Sequence, residues 1–193
     1  AVFAVVACTG SSAGNAAPVA RGRGCPTSQP APLAAGQTRT VKIETAKGTI
    51  TIRVDASLAP IATGNFVALA SCGFYDGTTF HRIVPGFVIQ GGDPTGTGGG
   101  GPGYTIADEP VTTPYKRGTV AMARSSQRHS QGSQFFIVLD DTAAGSLTQT
   151  NDYAIVGTVT SGMEAADAIA AAAGGAENPA NPVAMDKVTV ATP

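Results

Sequence analysis

Phe80-His81-Arg82-Ile83-Val84-Pro85-Gly86-Phe87-Val88-Ile89-Gln90-Gly91-Gly92-Asp93-Pro94-Thr95 decides the fold. Phe80, Ile83 and Val84 make an apolar run that carries Arg82, Pro85-Gly86 interrupts it, and Phe87, Ile89 and Gly91 then alternate in position against Val88 and Gln90. Short runs rich in β-branched and aromatic residues on both sides of a Pro-Gly pair predict two strands, over 79–84 and 87–91, joined at a bend. Arg82 lies towards the end of the first strand and Gln90 sits on the second. Further along, Gly132-Ser133-Gln134-Phe135-Phe136-Ile137-Val138 supplies another strand, over 134–139.

On the N-terminal side, Thr40-Val41-Lys42-Ile43-Glu44-Thr45 and Thr49-Ile50-Thr51-Ile52-Arg53-Val54 alternate around Lys47-Gly48, which predicts a hairpin with one face inward. Residues 59–71 carry Ile61, Phe66, Val67 and Leu69 at near-helical spacing. Pro60 starts this helix and Cys72-Gly73 stops it. Residues 94–103 form a Gly-rich loop, and strands follow near 119–123 and 153–159. A second helix is predicted over 162–172, with Ser161 and Glu164 as a capping box and Gly174-Gly175 as its stop. Lys187-Val188-Thr189-Val190 is a last strand. No internal repeat is evident. Many short strands with two helices predict a mainly β fold, a closed barrel capped by helices.

At 193 residues, with 42% hydrophobic and 13% charged, the chain has material for one core plus a tail. The net charge is −1 and there is no Lys/Arg run, which argues against nucleic-acid binding. No heptad or broad apolar stripe appears, so a monomer is expected. Only two histidines occur, His81 and His129, and no acid/His cluster has metal-ligand spacing, so neither metal nor cofactor is expected. His81 neighbours Arg82 on an alternating strand, faces the other side, and reads as a packed histidine.

Two motif matches mislead. Gly96-Thr97-Gly98-Gly99-Gly100-Gly101 fits the dinucleotide fingerprint, but Pro102-Gly103 and an extended Tyr104-Thr105-Ile106 follow where a helix should start. Gly10-Ser11-Ser12-Ala13-Gly14 fits a nucleophile elbow, but has no strand before it and no helix after it.

Over about residues 40–192 the chain resembles the cyclophilins, the barrel-fold peptidyl-prolyl isomerases; the resemblance rests on Phe80 to Thr95 and Gly132 to Val138. It implies a closed eight-stranded antiparallel barrel capped by two α-helices. It also implies rotation of X-Pro bonds in proline-containing polypeptides, without cofactor. That rotation faces a barrier of about 18–20 kcal/mol because the amide is conjugated. A catalyst must bind the twisted amide better than either planar form. The twisted prolyl nitrogen gains a lone pair, and a fixed guanidinium donor beside it stabilises only that state. By resemblance Arg82 is the catalytic arginine, oriented by Gln90. Phe87, Val88, Phe136 and Leu147 form the proline pocket. Ala123 and Gln134 are groove residues for the substrate backbone and the residue before proline. Phe87 and Val88 share one pocket only if the strand bends at Pro85-Gly86.

Three departures from the family pattern stand out. Arg124 replaces the common Asn and is expected to add a second cation at the groove wall, favouring acidic or carbonyl-rich segments. Tyr153 stands where His is common. Ser146 stands where eukaryotic members carry Trp, and residues 141–152 look lengthened. Arg124 and the altered loop motivate an alternative: a proline-binding scaffold or holdase with little turnover. A third reading, a nucleotide- or solute-binding lipoprotein, rests on the Gly-rich loop and the N-terminal cysteine.

Residues 1–8 are apolar and end in Val5-Val6-Ala7-Cys8, which looks like the end of a bacterial lipoprotein signal peptide with Cys8 lipidated. A plain secretory segment is the alternative. Residues 9–37 are rich in Ser, Gly, Ala, Pro and Thr and read as a flexible tether to a domain over 38–193. These features predict an exported protein, membrane-anchored or secreted; with the family resemblance they imply one that assists folding of other exported chains. Cys25 and Cys72 either pair in an oxidising compartment or stay free.

Overall fold

A computed structural model describes residues 24–150 and 152–191. Eight strands form one antiparallel sheet: β1 Thr38–Thr45, β2 Gly48–Asp55, β3 Arg82–Val84, β4 Val88–Gly91, β5 Thr119–Met122, β6 Phe135–Val138, β7 Ile155–Ser161 and β8 Lys187–Ala191. Their order across the sheet is β3-β4-β6-β5-β7-β2-β1-β8. Three helices accompany it: α1 Pro60–Ser71, α2 Ala144–Thr150 and α3 Met163–Ala172. None of them is long and apolar enough to cross a membrane.

The sheet is open, where a closed barrel was expected. Its edge strands β3 and β8 do not pair. The segment 177–185 bridges the gap irregularly: Ile83 N donates to Glu177 O at 2.7 Å, Phe80 N to Val183 O at 2.9 Å, and Met185 N to Thr78 O at 2.7 Å. Pro179 and Pro182 lie in this segment. Lacking N–H groups, they cannot serve a regular ladder, so closure stays piecemeal. For the same reason β3 is shorter than predicted, and Thr79 makes only isolated bridges to Asp93 and Ala184.

Register sorts the side chains of the β3-β4-β6-β5 quarter onto two faces. Ile83, Ile89, Ile137 and Val120 stand opposite one another in one row and are 0–1% exposed in the main core. Directly opposed residues share a face, and neighbours along a strand take the other. The adjacent row is therefore Arg82, Gln90, Phe136 and Ala121. A further row on that second face is Val84, Val88 and Val138. The expected bend is a turn in which Phe87 N donates to Val84 O at 2.9 Å. Gly86 takes φ +69° there, a region open to glycine at little cost.

Helix α1 carries no side-chain cap of its own. The Glu109 carboxylate replaces it, accepting from Ile61 N at 2.9 Å and Ala62 N at 2.8 Å. These donors lie just past Pro60, where a helix has free N–H groups and favours an anion. Glu109→Ala is expected to lower unfolding free energy by about 1–2 kcal/mol. A urea titration checks this, and an unchanged midpoint would remove the capping role. The capping box predicted for α3 does not form. Ser161 remains in β7, and Gly162, in left-handed conformation, precedes the helix without a side-chain cap bond.

Most of the segment expected to be a tether lies outside the described residues, as does Cys8. From Cys25 onward the chain is bound to the domain. Cys25 and Cys72 form a disulfide with Cα atoms 5.2 Å apart. Leu33 N donates to Pro60 O at 3.0 Å, and Gln29 Oε1 accepts from Ala107 N at 3.0 Å. The strap crosses α1 at Gly64, where a Cβ would lie 2.5 Å from Ala31 O. A glycine lets the two backbones approach that closely.

Candidate active site

The site lies on the second face of the β3-β4-β6-β5 quarter. Arg82 and Gln90 are register partners, and Arg82 Nη1 donates to Gln90 Oε1 at 3.3 Å. Gln90 Nε2 in turn donates to Gln134 Oε1 at 2.9 Å. Gln134 Nε2 donates to the carbonyls of Gly98 and Gly100, both at 2.9 Å. A chain of amides thus runs from the guanidinium to the Gly-rich loop, and it sets the orientation of each member.

The loop is itself organised by Asp93, a residue the sequence reading passed over. One carboxylate oxygen accepts from Thr95 N and Thr95 Oγ1, the other from Gly98 N and Gly100 N. Burial pushes this carboxyl up, but the four hydrogen bonds outweigh it and hold it below the usual carboxylate range. His81 is buried beside the loop at 6% exposure, and burial lowers its pKa, which keeps the imidazole neutral.

Beside the amide chain lies an apolar cluster, separate from the main core. Val88, Phe136 and Leu147 are buried in it, with Phe87, Ala123 and Tyr153 packed against it half-buried. Leu147 comes from α2, a short helix formed within the segment that looked lengthened. The Tyr153 ring meets the Phe136 ring edge-on at 5.4 Å. Tyr115, unforeseen from sequence, fixes Tyr153: its hydroxyl donates to Tyr153 O at 3.0 Å and accepts from Tyr153 N at 3.1 Å. Burial raises the Tyr115 pKa to about 12, so it stays a donor. Gln90, Ala123 and Gln134 also line a groove of about 550 Å³ walled by the Gly-rich loop.

Arg124 departs from expectation. It borders the groove, but its side chain is only 7% exposed and offers no free cation there. It pairs with the Asp152 carboxylate, donates to Gln127 O at 2.8 Å, and lies 3.9 Å from Asp108 Oδ2. A guanidinium this buried requires such partners, so its charge is spent within the protein. Glu177 was also missed: its Oε1 lies 2.7 Å from Arg82 Nε.

Comparison with known proteins matches this arrangement to one family. The family model described as cyclophilin type peptidyl-prolyl cis-trans isomerase/CLD matches residues 40–190. A peptidyl-prolyl cis-trans isomerase of Synechococcus elongatus is 53% identical over 95 residues, which cover 49% of this chain and 65% of that protein. A probable peptidyl-prolyl cis-trans isomerase A of Mycobacterium leprae is 38% identical over 174 residues, covering 80% of this chain and 93% of that one. A crystal structure of a Cryptosporidium parvum cyclophilin type isomerase, in the presence of the dipeptide Ala-Pro, superposes with TM-score 0.71 at 33% identity. It covers 80% of this chain and 99% of that one. With its guanidinium, amide chain and apolar cluster on one face of an eight-stranded sheet, this chain is a member of the cyclophilin-type peptidyl-prolyl cis-trans isomerase family.

Proposed function

We propose that this protein accelerates cis-trans rotation of X-Pro bonds in exported polypeptides and so assists their folding. The observation that carries this reading is the register row Arg82, Gln90 and Phe136, which sets a charged donor beside an apolar cluster. In it the proline ring enters the cluster of Phe87, Val88, Phe136 and Leu147, while Ala123 and Gln134 hold the flanking peptide. The Arg82 guanidinium donates to the prolyl nitrogen as the amide twists. That nitrogen has little lone-pair density while the amide is planar, so the bond forms in the transition state and lowers the barrier. No covalent bond to the enzyme is made or broken. The test is the exchange rate of a short X-Pro peptide; binding without acceleration would favour the proline-binding scaffold. The burial of Arg124 removes one motive for that alternative.

The site of action we propose is extracytoplasmic, with the protein anchored through a lipid on Cys8 or secreted, and monomeric. The Cys25–Cys72 disulfide supports an oxidising compartment. Val5-Val6-Ala7-Cys8 supports the anchor. Cys8→Ser is expected to move the protein from the membrane to the soluble fraction of its source cell. Full retention in the membrane fraction would exclude the anchor at this residue.

A further inference from the structure

Glu177 stands where the open edge of the sheet meets the site. It follows Gly174-Gly175 and precedes Pro179, in the irregular segment that takes the place of a closing strand pair. Its backbone is tied down: Glu177 O accepts from Ile83 N at 2.7 Å, and Ala176 N donates to Ala173 O at 3.0 Å. Its side chain then reaches the residue before Ile83, with Oε1 accepting from Arg82 Nε at 2.7 Å. One residue therefore holds both the backbone of β3 and its terminal guanidinium.

Fold stability does not account for this ion pair. The Arg82 and Glu177 side chains are 38% and 55% exposed, and pairs so open to water contribute little to folding. The pair does constrain the guanidinium. Gln90 takes Nη1, through a contact of 3.3 Å, long enough that it alone would leave the plane loosely held. Glu177 takes Nε on another edge. A planar group held at two nitrogens is fixed in direction, and Nη2 has no bonded partner among the described residues. It remains to donate toward a bound amide. The group to be stabilised is the lone pair of an uncharged nitrogen, so the direction of that N–H matters more than the net charge around it.

We propose that Glu177 is a positioning residue for Arg82, holding the guanidinium for its transition-state hydrogen bond. This rests on the catalytic role assigned to Arg82 above. Two opposite roles are open to a carboxylate here. If it positions the guanidinium, its removal slows turnover. If instead it competes with substrate for the guanidinium, its removal speeds turnover.

The experiment measures isomerisation of a short X-Pro peptide over a range of peptide concentrations. It uses the intact protein, Glu177→Ala and Glu177→Gln, then repeats the Ala change in an Arg82→Lys background. Glu177→Ala is expected to lower kcat by about tenfold and leave KM within about twofold, since the apolar cluster that takes proline is untouched. Glu177→Gln keeps an acceptor oxygen and is expected to lose only about threefold. With Arg82→Lys the Ala change is expected to have little further effect, because the residue acts through the guanidinium. Melting temperatures of all variants are expected to stay close to that of the intact protein. Rates unchanged or raised by Glu177→Ala would overturn the proposal, as would the same loss in both backgrounds. If the intact protein itself gives no acceleration, the assignment of Arg82 fails first and this proposal falls with it.

Discussion

Replacing Arg82 with Ala is expected to lower kcat/KM for a short X-Pro peptide by about 10²–10³, the usual effect of removing one preorganised donor from a transition state. Most of the loss should appear in kcat. Arg82 is partly exposed on β3, while proline binding is assigned to the buried side chains of Val88, Phe136 and Leu147, which do not depend on it for packing. Arg82→Lys is expected to fall between the two. An ammonium keeps the charge, but it is a point donor that cannot match the fixed planar contacts to Gln90 and Glu177. Folding should be unaffected in both variants, since the ion pair they break is open to water. Peptide-exchange kinetics with a melting curve as control check these statements. A rate for Arg82→Ala within about threefold of the intact protein would remove Arg82 from the mechanism.

Loss of the Cys25–Cys72 disulfide is expected to lower unfolding free energy by about 2–4 kcal/mol. The bond spans 47 residues of sequence, so breaking it frees a long loop in the unfolded chain. The folded side loses as well. The strap from Cys25 to Gln37 is held otherwise by few bonds, among them Leu33 N to Pro60 O and Gln29 Oε1 to Ala107 N. Its detachment would expose the face of α1 around Gly64. The combined change Cys25→Ser with Cys72→Ser should therefore lower the urea midpoint and speed amide exchange along α1. Reduction of the intact protein should reproduce both effects. The active row lies on other elements, so the rate under native conditions should change little. Equal urea midpoints for the oxidised and reduced protein would contradict this.

The framework of the site could be read from the chain where it depends on a strand turn, while the roles of its residues rest on the family resemblance. Arg82 and Gln90 stand opposite each other once the chain turns at Pro85-Gly86, and Phe136 falls beside Gln90. The first pairing is set by strand pattern and turn chemistry, both local signals, whereas the second comes from β4 pairing with β6, distant in sequence. What escaped the sequence depends on contacts without periodicity. Glu177 sits in a Pro-interrupted segment with no pattern. Glu109 caps a helix 48 residues earlier in the chain. The strap has the composition of a tether, and only its disulfide and backbone contacts bind it. Arg124 shows how charge can mislead: beside a groove it reads as a free cation, whereas Asp152 and Asp108 neutralise it from loops far apart in sequence. Closure of the barrel failed to appear because eight strands give no count of paired edges. The prolines near β8 decide that the β3 edge is served by single hydrogen bonds.

The most direct test of the central claim is exchange NMR of a short X-Pro peptide with a small amount of the intact protein or of Arg82→Ala. This reads binding and cis-trans rate in one sample. Cross-peaks between cis and trans resonances should appear with the intact protein. With Arg82→Ala they should fade while the peptide still binds, as seen in its broadened lines. Equal exchange with both proteins, or none with a folded intact protein that binds the peptide, would contradict catalysis by the Arg82 guanidinium.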